Sequence, residues 1–201
     1  MANGLRRPLG DGTVHLCVDM QRIFSRGGVW PTPWMKRVLP VVTAIAGHRP
    51  ERTIFTRFIT PVTPDAMPGV WRDYYEKWED ATRRKLAPEL LDLMPELQAL
   101  APPAFVLDKT RYSAFAETGL HGLLERRGVD TLAITGSETD VCVLSTVLDA
   151  VDLGYRVILV RDAVCSSSDE GHDALLQMYQ RRYAVQIEVV DADHLLAAWL
   201  T

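Results

Sequence analysis

Six short runs rich in β-branched and apolar residues recur along the chain, separated by segments of helical period. The runs fall at 13–18 (TVHLCV), 53–57 (TIFTR), 105–107 (FVL), 131–135 (TLAIT), 156–160 (RVILV) and 186–190 (QIEVV). The helical stretches fall at 34–47, around 74–81, and at 120–127, 140–153, 169–181 and 193–200. Alternation of this kind calls for right-handed crossovers, which lay the strands parallel and cover both faces of the sheet. RVILV, apolar throughout most of its length, has the character of a strand buried on both faces. Gly128 and Gly154 each follow a helical stretch, where a left-handed C-terminal cap belongs. The pattern predicts an α/β fold.

A chain of 201 residues fits one domain spanning 1–201, and at this size burial of roughly 70% of the unfolded surface needs no disulfide or metal staple. The net charge of −4 supplies no basic footprint for nucleic acid or an anionic membrane. Cys17, Cys142 and Cys165 are odd in number and contain no CxxC pair, so a reducing, cytoplasmic setting suits them better than a disulfide framework. The opening MANGLRRPLG has two arginines but no apolar stretch of signal-peptide length behind them. No run approaches membrane-spanning length.

One segment departs from the alternation. Residues 58–104 carry Pro61, Pro64, Pro68, Pro88, Pro95, Pro102 and Pro103 together with Trp71, Tyr74, Tyr75 and Trp78. A connection this long inside a compact domain reads as a functional cover. Its aromatics either pack beneath it, meet another subunit, or face a substrate.

Ligands of open parallel sheets bind beyond the carboxyl ends of the strands. The reactive residues at those ends are Asp19 after the first run, Arg57 at the end of the second, Asp108 and Lys109 after the third, and the stretch Gly136-Ser137-Glu138-Thr139-Asp140 leading to Cys142 after the fourth. Arg161-Asp162 and then Cys165 follow the fifth. With Thr139 as a helix N-cap, Cys142 falls in the first turn, where free N–H groups favour a thiolate and could bind an oxyanion. Asp19 could exchange a proton with that thiol, and Lys109 could lower the thiol pKa by its charge. Singly, each residue admits a plain structural reading: a buried small thiol, a turn carboxylate and a solvated ammonium. Cys17 reads as core and Cys165 as an ordinary loop thiol.

Together, Asp19-Met20-Gln21, Lys109-Thr110-Arg111-Tyr112-Ser113-Ala114-Phe115 and Gly136-Ser137-Glu138-Thr139-Asp140-Val141-Cys142-Val143 resemble the isochorismatase-like cysteine hydrolase superfamily, over roughly 13–190. The resemblance implies a three-layer α/β/α fold with a six-stranded parallel sheet in the order 3-2-1-4-5-6. It implies a catalytic triad of Cys142, Asp19 and Lys109, a cis Ser137–Glu138 peptide, and an oxyanion hole from the Glu138 and Cys142 amides. A retained cysteine favours hydrolysis of a C–N bond in a small amide or carbamoyl substrate through a thioester; vinyl-ether hydrolysis and a non-catalytic assembly module are the alternatives. Metal-binding relatives have an Asp-x-His element after the second strand, where this chain has Thr56-Arg57-Phe58-Ile59-Thr60. His15, His48, His121, His172 and His194 show no ligand spacing, so the expectation is no metal and no cofactor. Phe24, Trp30, Trp71 and Tyr112 are the expected substrate-binding residues, and Arg57 and Arg111 are candidate contacts for a substrate carboxylate, with solvent exposure the other option. The expected partners are a small-molecule amide and, through the resemblance, further copies of the chain in a dimer or tetramer, with neither nucleic acid nor membrane.

Overall fold

The computed structural model describes residues 4–199. Its strands are β1 (Thr13–Val18), β2 (Thr53–Phe58), β3 (Phe105–Lys109), β4 (Thr131–Ser137), β5 (Arg156–Cys165) and β6 (Ile187–Val190). They form one sheet in the order β3-β2-β1-β4-β5-β6, and every pairing is parallel. The helices are α1 (Met35–His48), α2 (Val70–Lys77), α3 (Pro95–Gln98), α4 (Leu120–Arg126), α5 (Cys142–Asp152), α6 (Asp169–Arg182) and α7 (Ala192–Ala198). The expected α/β sheet, its order and its two helical layers are all present. The last predicted helix extends to Leu200, which lies outside the described residues, as do the first three residues of the N-terminal stretch. Among the described residues no helix is long and apolar enough to cross a membrane.

Strand periodicity divides the core. Val14, Leu16 and Val18 of β1 lie in one cluster with Leu124 of α4, Val147 of α5 and Tyr179 of α6, whereas Cys17 lies in the other with Val42 and Ile45 of α1 and Leu195 of α7. This is the two-residue alternation of a strand covered on both sides. Full burial of each Val, Leu or Ile contributes about 1.5–3 kcal/mol. Gly128 and Gly154 take φ of 63° and 86°, the left-handed conformation their positions after α4 and α5 predicted.

Two boundaries differ from the sequence reading in ways that matter for the site. β5 does not stop at Val160: the β4–β5 register shifts between Ile134 and Gly136, and pairing resumes at Gly136–Val164 and Ser137–Cys165. Cys165 is therefore a fully buried strand residue instead of a loop thiol, and burial pushes its pKa up to about 12. Arg161, expected at the strand end, instead forms a two-pronged pair with Asp191 at 2.6 Å. The second difference is α5, which starts at Cys142 instead of around Thr139; its N-cap is Val141, without a side-chain cap. The Thr139 hydroxyl is engaged elsewhere, 2.9 Å from His172 Nδ1.

The connection from β2 to β3 wraps over the carboxyl ends of the strands and contains α2 and α3. Gln21 fastens it. Its amide donates to the carbonyls of Leu91 at 2.7 Å and Phe58 at 3.2 Å and accepts from the Phe58 N–H at 2.6 Å. Backbone bonds from Arg22 to Asp92 and from Met94 to Met20 run alongside.

Candidate active site

The strand order reverses between β1 and β4, each of which leads outward to its own side of the sheet. Doubly wound sheets open a crevice at that point. Gly136 allows the two strands to meet there: at φ 115°, a Cβ on it would stand 2.0 Å from the Val18 carbonyl oxygen, which no side chain could tolerate.

Asp19 leaves β1 with φ 49°, a left-handed conformation uncommon outside glycine. Its N–H donates to Thr56 Oγ1 at 3.1 Å, and that hydroxyl donates back to Asp19 Oδ1 at 2.5 Å. Asp19 Oδ2 lies 2.6 Å from Lys109 Nζ, with both side chains fully buried. Lys109 also donates to the carbonyls of Arg111 and Tyr112, each at 2.9 Å, and its ammonium lies 4.9 Å from the centre of the Phe58 ring. An ion pair this deep persists only when its remaining hydrogen-bonding capacity is met: the lysine also donates to two carbonyls, and the Thr56 hydroxyl donates to the carboxylate.

Cys142 begins α5 and is 5% exposed. Burial pushes its thiol pKa upward; Lys109 pulls the other way, and the Asp19 carboxylate, through charge and hydrogen bonding, adds to the rise. The sequence reading had Lys109 lowering this pKa. The lysine acts in that direction, but desolvation outweighs it. The resting group is therefore the thiol, with a carboxylate beside it. The Ser137–Glu138 peptide is cis. Neither the Glu138 nor the Cys142 N–H has a hydrogen-bond partner among the described residues.

Above Cys142 is a cavity of about 400 Å³, walled by Phe24, Trp30, Phe58, Tyr74, Trp78 and Tyr112. Phe24, Trp30 and Tyr112 are expected substrate-binding residues, and Tyr74 and Trp78 are among the covering-segment aromatics for which a substrate-facing role is one option; Phe58 is the wall residue that the sequence does not mark. Trp71, the fourth expected contact, is outside the wall. Its ring packs behind Tyr112 with centroids 4.8 Å apart, and against Phe58 and Tyr74. The helical reading began at Tyr74, but α2 begins at Val70, and this places Trp71 in its first turn, behind the cavity. Thr56, which holds Asp19, was also missed. Register could have found it, because the residue after Phe55, the partner of Cys17, is level with the end of β1.

Arg57 and Arg111 are not in the lining. Arg57 pairs with Asp108 through two bonds of 2.7 and 2.9 Å, and Arg111 pairs with Glu117 at 3.0 Å. Strand alternation explains Asp108: it lies directly across from Arg57 and points away from its neighbour Lys109. Among the described residues no group of three or more His, Cys, Asp or Glu side chains gathers in ligand geometry.

A doubly wound α/β domain with a thiol, a carboxylate and an ammonium meeting at its switch point defines the class of this protein. The chain belongs to the isochorismatase family, whose Isochorismatase domain model matches residues 13–191. A Bacillus subtilis protein described as the uncharacterized isochorismatase family protein PncA is 38% identical over 43% of this chain and 47% of its own length. Maleamate amidohydrolase of Pseudomonas putida is 36% identical over 47% of this chain and 46% of its own length. These two matches span about half of each relative. A probable inactive nicotinamidase of Arabidopsis thaliana is 29% identical over 81% of this chain and 85% of that protein. In structure, the chain is similar to a cysteine hydrolase from Pseudomonas syringae, with a TM-score of 0.84, 23% identity, and coverage of 98% of this chain and 96% of the other; at that identity the likeness is one of fold.

Proposed function

We propose that this chain hydrolyses a C–N bond of a small amide or carbamoyl compound through a thioester on Cys142. The observation that carries the reading is the buried Lys109–Asp19 pair beside Cys142, which itself borders an aromatic cavity. The amidohydrolase name of the Pseudomonas putida relative supports the reaction class.

As the Cys142 sulfur attacks the carbonyl carbon, its proton passes to Asp19, so a raised thiol pKa is compatible with the chemistry: the base is in place before the substrate arrives. The unpartnered Glu138 and Cys142 N–H groups offer two donors to the oxyanion. Asp19 then returns the proton to the departing nitrogen, leaving a thioester. A water molecule attacks that thioester, giving its proton to Asp19; the acid product leaves and the thiolate recovers the proton. Lys109, 2.6 Å from Asp19 Oδ2, holds the carboxyl group in position throughout.

Ammonia release from a panel of small amides and ureido acids tests the reading, with isochorismate included for vinyl-ether cleavage. Hydrolysis by the wild type that disappears in Cys142→Ala supports it. A Cys142→Ala protein with full activity removes the nucleophile from the mechanism, and turnover of isochorismate alone replaces the reaction. Absence of any turnover, with Cys142 no more reactive than an ordinary buried thiol, moves the chain to the non-catalytic class.

A further inference from the structure

The cavity contains one formal charge and it is negative. Six aromatic residues form its walls, Glu138 is the one acidic residue of the lining, its carboxylate bonded to the N–H of Ser167, another lining residue, and no lysine or arginine belongs to it. Two basic residues that lie against rings at or behind the wall, Lys109 over Phe58 and Arg111 over Trp71, are already engaged, with Asp19 and Glu117 respectively. Glu138 has no ion-pair partner among the described residues. Its Oε1 accepts only the Ser167 N–H, at 2.9 Å, and this tethers the loop after β5 to the cavity rim. Burial is the main reason the Tyr112 and Tyr74 pKa values are raised, and the Glu138 charge adds a smaller contribution to each.

Aromatic faces are the negative ends of ring quadrupoles and attract cations. Trp30 is at the centre of this arrangement, with Phe24, Phe58, Tyr74 and Trp78 around it at centroid distances of 5.9 to 6.2 Å. An anionic substrate entering here would give up its hydration without gaining a counter-ion, and would approach Glu138. A cationic group would meet both the ring faces and the carboxylate.

Building on the amidase reading above, we propose that the substrate is an amide whose remote end carries a positive charge, held by the aromatic walls and Glu138, and that carboxylate-bearing amides are rejected. Glu138 is on this account a specificity-determining residue through its side chain, separate from its backbone N–H.

Three benzamides matched in shape test this: the 4-aminomethyl compound (cation), the 4-methyl compound (neutral) and the 4-carboxy compound (anion). Two measurements are made with each, kcat/KM for ammonia release and protection of Cys142 from iodoacetamide. The expected order is cation, neutral, anion in both, with cation over anion by at least about tenfold in kcat/KM. In Glu138→Gln the ratio of cation to anion should fall by roughly fivefold or more, whatever happens to the absolute rate. Protection in the expected order without hydrolysis would sink the amidase reading and leave the charge preference standing. Equal hydrolysis of all three would keep the amidase and overturn the preference. The preference is also overturned if the anion is favoured, if no probe protects Cys142, or if the ratio is unmoved in Glu138→Gln.

Discussion

Lys109 Nζ lies 2.6 Å from Asp19 Oδ2, and neither side chain has exposed surface. Two bare charges could not be kept at this depth, so each depends on the other and on the hydroxyl of Thr56 and the carbonyls of Arg111 and Tyr112.

Removing one partner should therefore be worse than removing both. Lys109→Met strands a buried carboxylate and should lower stability by about 3–5 kcal/mol, whereas the double variant Asp19→Asn, Lys109→Met should lie within about 2 kcal/mol of the wild type. Urea denaturation at pH 7 measures both. A double variant no more stable than Lys109→Met alone would show that the pair is not coupled. Both variants should lack amidase activity, which separates the stability of the pair from its use.

The three cysteines should differ sharply in accessibility. Cys142 borders the cavity, while Cys17 and Cys165 are fully buried and have thiol pKa values raised chiefly by burial. Iodoacetamide on the native protein should give a single adduct at Cys142, identified by peptide mapping, and three only after denaturation. Because burial also raises the Cys142 thiol, its labelling should accelerate from pH 7 to pH 9 as the thiolate fraction grows. A rate already at its plateau by pH 7 would mean a preformed thiolate.

The strands were legible where the chemistry changes abruptly. β1 is a β-rich run, TVHLCV, between Gly12 and Asp19, and its ends coincide with the structure. β5 was read short because Arg161 and Asp162 interrupt the apolar run, and both find partners that sequence cannot place: Asp191 for the arginine, the Ala192 N–H for the aspartate. The triad residues stood out because each follows a strand and belongs to a recognisable motif. The cavity wall was harder to read. Trp71 and Trp78 are equally aromatic, and only the packing of α2 and the turn after it decides which one faces the thiol. The Glu138 side chain is illegible for another reason: the motif marks its backbone N–H, while the missing counter-ion is a property of the whole lining.

His15 makes stability depend on pH. It is fully buried, with its ring nitrogens 3.3 Å from Thr53 Oγ1 and 2.8 Å from Thr135 Oγ1, and burial lowers its pKa to about 3. The unfolded chain returns it to about 6.5. Between these values the unfolded state binds the extra proton, so the stability His15 confers is complete above pH 6.5 and declines as pH falls toward 3, by up to about 1.4 kcal/mol per unit. Compared with His15→Gln, the wild type should lose about 1–2 kcal/mol more between pH 6.5 and 5. Urea midpoints at the two pH values measure it, and parallel losses in both proteins would assign the acid sensitivity elsewhere.

Gln21 joins the end of β1, the end of β2 and the covering segment through one side chain. Its nitrogen donates to Leu91 and Phe58 and its oxygen accepts from Phe58, so amide chemistry is required and shape alone is insufficient. In Gln21→Glu the ionised carboxylate could still accept from the Phe58 N–H, but it would face two carbonyl oxygens with nothing to donate. In Gln21→Ala all three bonds vanish and a cavity opens. Each should destabilise the protein by about 1–3 kcal/mol at pH 7, the glutamate at least as much as the alanine. The two should part on acidification: protonation restores a donor to the introduced carboxyl group, so lowering the pH to 5 should narrow its deficit relative to wild type, whereas the alanine deficit should stay constant. The covering segment carries Tyr74 and Trp78 of the cavity wall, so loosening its anchor should raise KM more than it lowers kcat. A deficit for Gln21→Glu that does not change with pH, or a fall in kcat alone, would show that the amide acts in some way other than as this clasp.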